Sequence, residues 1–399
     1  MTRRLYLQDS FLQSCETTVT FCQPGPKGGF LVGLAETVFF PESGGQPSDR
    51  GIISNAVVTH VSEKGGEVFH HCDRPVEVGS RVAAAIDFRR RFDMMQQHSG
   101  EHIIACAAYR LFRANNVGFH LGEENLGLDL DYQLTPSQAD LLEETANSYI
   151  SAGLPITARI LTDEEYHALP MRKKAENLKG EIRLVTVGEL DYATCCGTHC
   201  TLTSQVELVK ILSCENYKGG SRLELACGGR ALADYRYKNA FVNALGRRFS
   251  VPAVKAEAAF ARYEEENAQL RRELRQRSSL LIGLKADQLL EGWQGQPVCC
   301  RWDDLNPEEC RELLNLLCKR EGMVTVLWNA KNGRVNYLVG CGENAPLTAK
   351  AVCTRINGEL GGRGGGNALL AQGSAPSGEG WEACADQLES WLRGELSRQ

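Results

Sequence analysis

Two short stretches decide how this chain folds, His98-Ser99-Gly100-Glu101-His102 and Cys195-Cys196-Gly197-Thr198-His199-Cys200. Two histidines four residues apart on a helix lie on one face, about 5.4 Å apart, so both imidazoles can bind one metal ion. The second stretch adds thiols and a third imidazole around Gly197, and glycine lets the backbone turn tightly. Imidazole together with thiolate suits Zn²⁺ better than Mg²⁺ or Ca²⁺. The two stretches therefore predict one zinc ion per chain.

The composition is typical of a soluble globular protein, with 399 residues of which 43% are hydrophobic and 24% are charged. A chain of this length is expected to form two to four domains. It contains no apolar run of about 18 residues and no signal-peptide core, so we expect a cytoplasmic protein with no membrane partner. Its 16 cysteines are then expected to be reduced thiols. The net charge of −6 gives no overall attraction to nucleic acid, so any RNA contact must depend on local patches.

The patterns outside the two stretches predict an α+β fold in four parts. Short apolar runs separated by Gly and Pro turns predict a small β-barrel in residues 1–90. Helical spacing begins at residue 91 and places His98 and His102 on a buried stripe, so residues 91–248 are predicted to form a zinc-binding α+β domain. Residues 249–293 fit a short coiled-coil-like helical spacer, although an ordinary amphipathic helix fits them equally well. Residues 294–399 are predicted to form a C-terminal α/β domain.

A glycine-rich run at residues 358–367 stands out in this last part. Backbone N–H groups without side chains can bind an anion, and Arg363 adds a positive charge. We therefore expect a flexible, phosphate-sized loop here, with a plain linker as the alternative.

Several of these features together resemble the editing domain of alanyl-tRNA synthetase. They are the histidine pair, the Cys-x-x-x-His from Cys195 to His199, Ser43-Gly44-Gly45-Gln46 with Asp49 and Gly51, and the run from Lys218 to Glu224. Residues 361–372 are similar to the C-terminal domain that this synthetase shares with the DHH phosphoesterases. Since nothing in the first 90 residues resembles an aminoacylation core, the whole chain resembles the long form of the AlaX family of freestanding alanyl-tRNA editing proteins.

The resemblance implies an aminoacyl-tRNA deacylase whose partner is tRNA(Ala) mischarged with serine or glycine. An alanine pocket cannot strongly reject one extra hydroxyl or one missing methyl group, since such differences are worth only about 1–3 kcal/mol. A second, hydrolytic site corrects those errors. On this resemblance residues 91–248 are the zinc-dependent editing domain, and residues 294–399 are the DHH-associated domain that binds tRNA.

The resemblance also assigns individual residues. It makes His98, His102, Cys195 and His199 the zinc ligands, Thr37 the residue that recognises the serine hydroxyl, and Gln46 an active-site glutamine; Lys218, Arg222 and Arg363 are expected to contact RNA. Cys196 stands where the family has glycine. Either cysteine can therefore supply the thiolate, and the spacing to His199 favours Cys195.

Other interpretations stay open on the sequence. The pattern H-x-x-E-H is that of inverted zinc peptidases, in which Glu101 would be the general base; in a deacylase we expect Glu101 to be a tolerant helix position. A third interpretation is a non-catalytic tRNA-binding protein with structural zinc. A homodimer through the helical spacer or the C-terminal domain is also among the expected partners, and the sequence leaves open whether zinc activates water or only positions the substrate.

Overall fold

A computed structural model of the chain describes residues 1–26, 28–123, 125–169, 182–331, 333–378 and 380–396. The chain forms two compact units, Met1–Ala244 and Leu245–Gln399. The sequence-based division into four parts is finer than this and stays a prediction.

The first unit begins with a closed β-barrel, which confirms the predicted barrel. Its strands bury alternate side chains, as in β6, so apolar residues fill the interior while polar residues face outward. The strands are β1 (Arg3–Arg4), β2 (Ser14–Pro24), β3 (Phe30–Leu34), β4 (Glu36–Thr37), β5 (Gly51–Ile53), β6 (Ala56–Lys64), β7 (Glu67–Cys72) and β8 (Arg81–Ile86). The barrel closes in the order β2-β3-β7-β6-β5-β8, and β1 pairs with β4 outside it.

A long buried helix, α1 (Phe88–Phe112), follows the barrel and carries the histidine pair. Asp87 caps it by accepting a hydrogen bond from the backbone N–H of Arg90. The elements after it are β9 (Asn116–Leu121), β10 (Leu126–Leu130), α2 (Pro136–Ser151), β11 (Ile156–Leu161), α3 (Asp163–Ala168), β12 (Ile182–Val187), β13 (Asp191–Thr194), β14 (Val209–Tyr217), β15 (Gly220–Cys227) and α4 (Gly228–Phe249). One sheet has the order β14-β15-β10-β9, and a second has the order β11-β12-β13.

The helix lies very close to the larger sheet. A Cβ at Gly100 would stand 2.2 Å from the Sγ of Cys227 on β15, so only glycine allows this approach. At the other side, the fully buried Arg91 pairs with Asp49 and donates to the backbone carbonyls of Ser10 and Val38. Removing one partner of such a buried pair typically costs about 3–5 kcal/mol. These contacts fix α1, and with it both histidines, between the barrel and the sheet.

The second unit is built on a five-stranded sheet with the order β16-β17-β18-β20-β19. Its elements are α5 (Ala256–Leu290), β16 (Val298–Arg301), α6 (Pro307–Leu317), β17 (Val324–Lys331), β18 (Arg334–Cys341), α7 (Ala349–Leu360), β19 (Arg363–Gly366), β20 (Leu370–Pro376) and α8 (Trp381–Leu396). Ile282 and Ala286 of α5 are buried in the apolar cluster that includes α6. The predicted helix is therefore present, while its coiled-coil pairing stays a prediction.

The expectation of a flexible glycine loop at residues 358–367 is wrong. The run completes α7, turns at Gly361 with φ of +61°, and continues as the edge strand β19, which pairs with β20. A Cβ at Gly364 would stand 2.3 Å from the backbone of β20, so this glycine serves close strand pairing. Arg363 is exposed on that edge strand.

Candidate metal centre

Four predicted ligands meet at one place in the first unit. His98 and His102 project from α1, and Cys195 and His199 belong to the loop after β13, with one donor atom of each within 4.8 Å of all the others. The Sγ of Cys195 lies 3.3 Å from the Nε2 atoms of both His98 and His199. Three imidazoles and one thiol at this spacing fit a tetrahedral zinc site.

Burial determines the protonation states of these side chains. Burial holds the pKa of His98 and that of His199 well below the ordinary value, with His102 and Arg183 adding repulsion, so both rings are neutral ligands. Burial also raises the pKa of the Cys195 thiol to about 12, so a bound metal must displace its proton. The described residues therefore fit Zn²⁺ in both number and chemistry.

Gln46 sets the orientation of His98. Its Oε1 accepts hydrogen bonds from the Nδ1 of His98 (2.8 Å) and the backbone N–H of Thr198 (3.1 Å), while its Nε2 donates to the Thr198 hydroxyl (2.8 Å). A carbonyl oxygen only accepts, so Nδ1 carries the proton and Nε2 keeps the lone pair that faces Cys195. A hydrogen bond of this kind fixes the tautomer of a metal-binding histidine.

Other parts of the first unit hold the ligand loop by its backbone. One guanidinium nitrogen of Arg183, on β12, donates to the carbonyls of Cys195 (2.8 Å) and Gly197 (2.9 Å), and the Ser10 hydroxyl donates to the carbonyl of His199 (2.8 Å). A Cβ at Gly197 would stand 2.3 Å from the His98 ring, so the loop requires glycine there. The loop is therefore held on both sides of Gly197.

Cys195, and not its neighbour, belongs to the cluster. Cys196 is exposed, whereas Cys195 points at the three histidines. The geometry therefore favours Cys195 as the thiolate, in line with its spacing to His199.

The cluster opens onto a cavity of about 410 Å³. Phe119 of β9 stacks on His98 with ring centroids 5.1 Å apart and forms one wall. Glu101 lies in this cavity although it is buried, and the Asn116 side chain donates a hydrogen bond to it. The expectation that Glu101 is a tolerant helix position is therefore wrong, because α1 turns this residue toward the cluster together with His98. The remaining lining residues are Gly44, His102, Val117, Gly118, Tyr192, Ala193, Thr194 and Cys195.

Thr37 is placed elsewhere, inside the barrel region. His70 donates from Nδ1 to the carbonyl of Val32 (2.9 Å), so its Nε2 accepts a hydrogen bond from the Thr37 hydroxyl (2.8 Å). The same hydroxyl accepts a hydrogen bond from the backbone N–H of Phe39. Burial lowers the pKa of His70 to about 4, so this ring is neutral. Thr37 is fully buried and is not among the described residues that line the cavity.

The expected RNA-contacting residues are exposed at two different places. Arg222 forms a two-point ion pair with Asp129 and stacks over Tyr217 at 3.7 Å, with the amine of Lys218 5.0 Å from the same ring. Arg222 also lines a second cavity of about 540 Å³, which Phe119 borders. Arg363 lies in the second unit.

Sequence reasoning missed several residues around the cluster. Ser10, Asn116, Phe119, Arg183 and Thr198 act through contacts set by strand register and chain crossings, for which no local pattern exists. Only the order Thr198-His199 in the second stretch could have pointed to one of these residues, because it places Thr198 beside a predicted ligand.

Two family models match part of each unit. The family model described as "Threonyl and Alanyl tRNA synthetase second additional domain" matches residues 182–224, which include Arg183, Cys195 and His199. The DHHA1 domain model matches residues 295–394 of the second unit. In the part of the chain that the structure describes, no helix is long and apolar enough to span a membrane.

Several curated relatives align with large parts of this chain. "Alanyl-tRNA editing protein Aarsd1" of Mus musculus is 36% identical over 241 residues, covering 56% of this chain and 58% of its own length, so the chain spans little more than half of that relative. The Danio rerio protein of the same name is 28% identical and covers 93% of both chains. "Alanyl-tRNA editing protein AlaX-L" of Pyrococcus horikoshii is 26% identical over 98% of this chain and 100% of its own. With both family models matched in one chain and relatives that align along nearly all of it, the chain is similar over nearly its whole length to the long alanyl-tRNA editing proteins named Aarsd1 and AlaX-L.

Proposed function

We propose that this protein is a trans-editing deacylase, which hydrolyses the ester between a wrongly attached serine or glycine and the 3′ end of tRNA(Ala). The observation that carries the proposal is the His98, His102, Cys195 and His199 cluster beside an open cavity. The names of the relatives support the choice of substrate, since each is called an alanyl-tRNA editing protein.

The four cluster residues would hold one Zn²⁺ ion, which can polarise an ester carbonyl or lower the pKa of bound water. The chain's own residues orient the site: Gln46 fixes the His98 ring, and Arg183 fixes the backbone on both sides of Cys196. Phe119 shields one face of His98 from water. Because four protein ligands would fill a tetrahedral site, one of them would have to yield, or the coordination would have to expand, before the metal could contact the ester. Of the two roles, we favour positioning of the substrate.

We propose that the Thr37 hydroxyl recognises the hydroxyl of the serine substrate. The Thr37 hydroxyl now donates to His70, so it must exchange that partner for the substrate. If Thr37 instead supports the barrel, its replacement will affect seryl and glycyl esters alike.

We propose that Lys218, Arg222 and Arg363 contact RNA phosphates. A phosphate at Arg222 must compete with Asp129, whose carboxylate now binds that guanidinium. Tyr217 under the same cation offers an aromatic face on which a base can stack.

We also propose that two copies associate through α5. Its predicted heptad positions carry large exposed side chains, with Leu270, Leu274 and Leu284 exposed by 65%, 69% and 67%. Pairing these rows in a coiled coil removes apolar surface from water. The buried Ile282 and Ala286 face α6 instead, so the two roles use different sides of the helix.

Hydrolysis of seryl-, glycyl- and alanyl-tRNA(Ala) by the zinc-loaded protein tests the proposed function. We expect the first two esters to be cleaved and alanyl-tRNA to be spared. His102→Ala should abolish cleavage, whereas His60→Ala, a matched change on the barrel, should not. A protein that binds seryl-tRNA(Ala) without cleaving it contradicts the proposal and indicates a non-catalytic tRNA-binding role.

A further inference from the structure

Glu101 is a buried carboxylate that the proposed chemistry does not use. It follows His98 by three residues and precedes His102 by one, so α1 presents all three toward the same region. Its side chain is 5% exposed and one of its oxygens lies 3.9 Å from the Nε2 of His102. This carboxylate is therefore buried in direct proximity to one of the candidate metal ligands.

The surroundings of Glu101 favour a cationic ligand. Among the described residues that line the 410 Å³ cavity, Glu101 is the only carboxylate, and none of them is a lysine or arginine. Asn116 donates a hydrogen bond to Oε1 and thereby fixes the carboxylate in the cavity wall.

The substrate class of the proposed function carries a cationic group. In an aminoacyl ester the α-ammonium group is attached to the carbon next to the reacting carbonyl. A group that binds the ammonium must therefore lie close to the group that contacts the carbonyl. Glu101 meets this condition through its closeness to His102.

We propose that Glu101 binds the α-ammonium group of the aminoacyl moiety and thereby orients the ester carbonyl at the cluster. This inference rests on the proposed deacylase function. A hydrogen bond between charged partners accounts for roughly a 10- to 150-fold preference for the ammonium substrate.

The test compares two esters with two forms of the protein. One ester is seryl-tRNA(Ala), and the other is its analogue in which a neutral hydroxyl replaces the α-ammonium group at almost the same size. The ratio of kcat/KM for the two esters is measured for the wild type and for Glu101→Gln, which keeps the shape and removes the charge. Dividing one ratio by the other cancels the different intrinsic reactivity of the esters.

We expect Glu101→Gln to slow cleavage of seryl-tRNA(Ala) by roughly 10- to 150-fold and to leave the hydroxyl analogue nearly unchanged. Thr194→Val, in the same cavity, should change both esters in the same proportion. Glu101→Asp keeps the charge and should keep most of the preference for the ammonium ester over the hydroxyl analogue. If Glu101→Gln does not fold, Glu101→Asp serves as the test in its place. Zinc content and thermal stability are measured for each form.

Equal losses on both esters overturn the inference, because a general base or a purely structural residue does not distinguish them. Complete loss of the preference for the ammonium ester in Glu101→Asp also overturns the inference, because this variant keeps the negative charge. If the wild type cleaves neither ester, the proposed function itself fails, so the two failures are distinguishable.

Discussion

Replacing Gln46 by leucine tests whether this buried amide controls the metal site. Gln46→Leu keeps the approximate volume but removes the acceptor for the His98 Nδ1–H and the Thr198 N–H. Each buried donor left without an acceptor costs about 1–3 kcal/mol, or about 2–6 kcal/mol for the two. Part of this cost lowers the free energy of unfolding. The rest appears in metal binding, where loss of such a supporting contact typically weakens affinity by about 10–100-fold.

The assay is competition for zinc against a chromophoric chelator, with the stability of the metal-free protein measured by denaturant unfolding. Gln46→Glu is the matched control, because its carboxylate still accepts from His98 and Thr198 while it loses the donor to the Thr198 hydroxyl. We expect its zinc affinity to lie much closer to that of the wild type. Zinc affinity of Gln46→Leu within twofold of the wild type would refute the argument, since His98 would then need no partner to fix its ring.

The other predictions concern the ligand loop, the barrel and the long helix. Arg183→Met removes the donor to two loop carbonyls and should weaken zinc binding about 10–100-fold; unchanged affinity in the same competition assay contradicts this. Thr37→Val leaves the buried Nε2 of His70 without its donor and should lower the free energy of unfolding by about 1–3 kcal/mol. Denaturant unfolding measures that loss, and a loss of activity confined to the seryl ester would show that Thr37 reads the substrate. Sedimentation velocity should show a dimer for the wild type and a monomer for Leu274→Lys. The same mass for the wild type and the variant refutes pairing through α5.

Local spacing made the four residues of the candidate metal cluster predictable from the sequence. His98 and His102 lie one helical turn apart, and Cys195 and His199 belong to one short loop, so each pair is set by its own backbone. The barrel was predictable for the same reason, because short alternating strands and glycine turns are local signals.

Contacts between distant parts of the chain were not predictable. Ser10 reaches a carbonyl 189 positions away, and Gln46 reaches His98 across 52 positions. Such contacts depend on how the strands close the barrel and how α1 crosses it. No short stretch of sequence predicts that arrangement. The glycines near Arg363 were misassigned because close strand pairing and a flexible loop both favour glycine.

Hydrolysis at the metal cluster is the central proposal for this protein. The decisive measurement is the initial rate of seryl-tRNA(Ala) hydrolysis as zinc is added stepwise to metal-depleted protein. We predict no cleavage without metal, a rate that rises in proportion to bound zinc, and a plateau at one zinc ion per chain. Full activity in the metal-depleted protein, or no activity at one bound zinc per chain, would contradict the account.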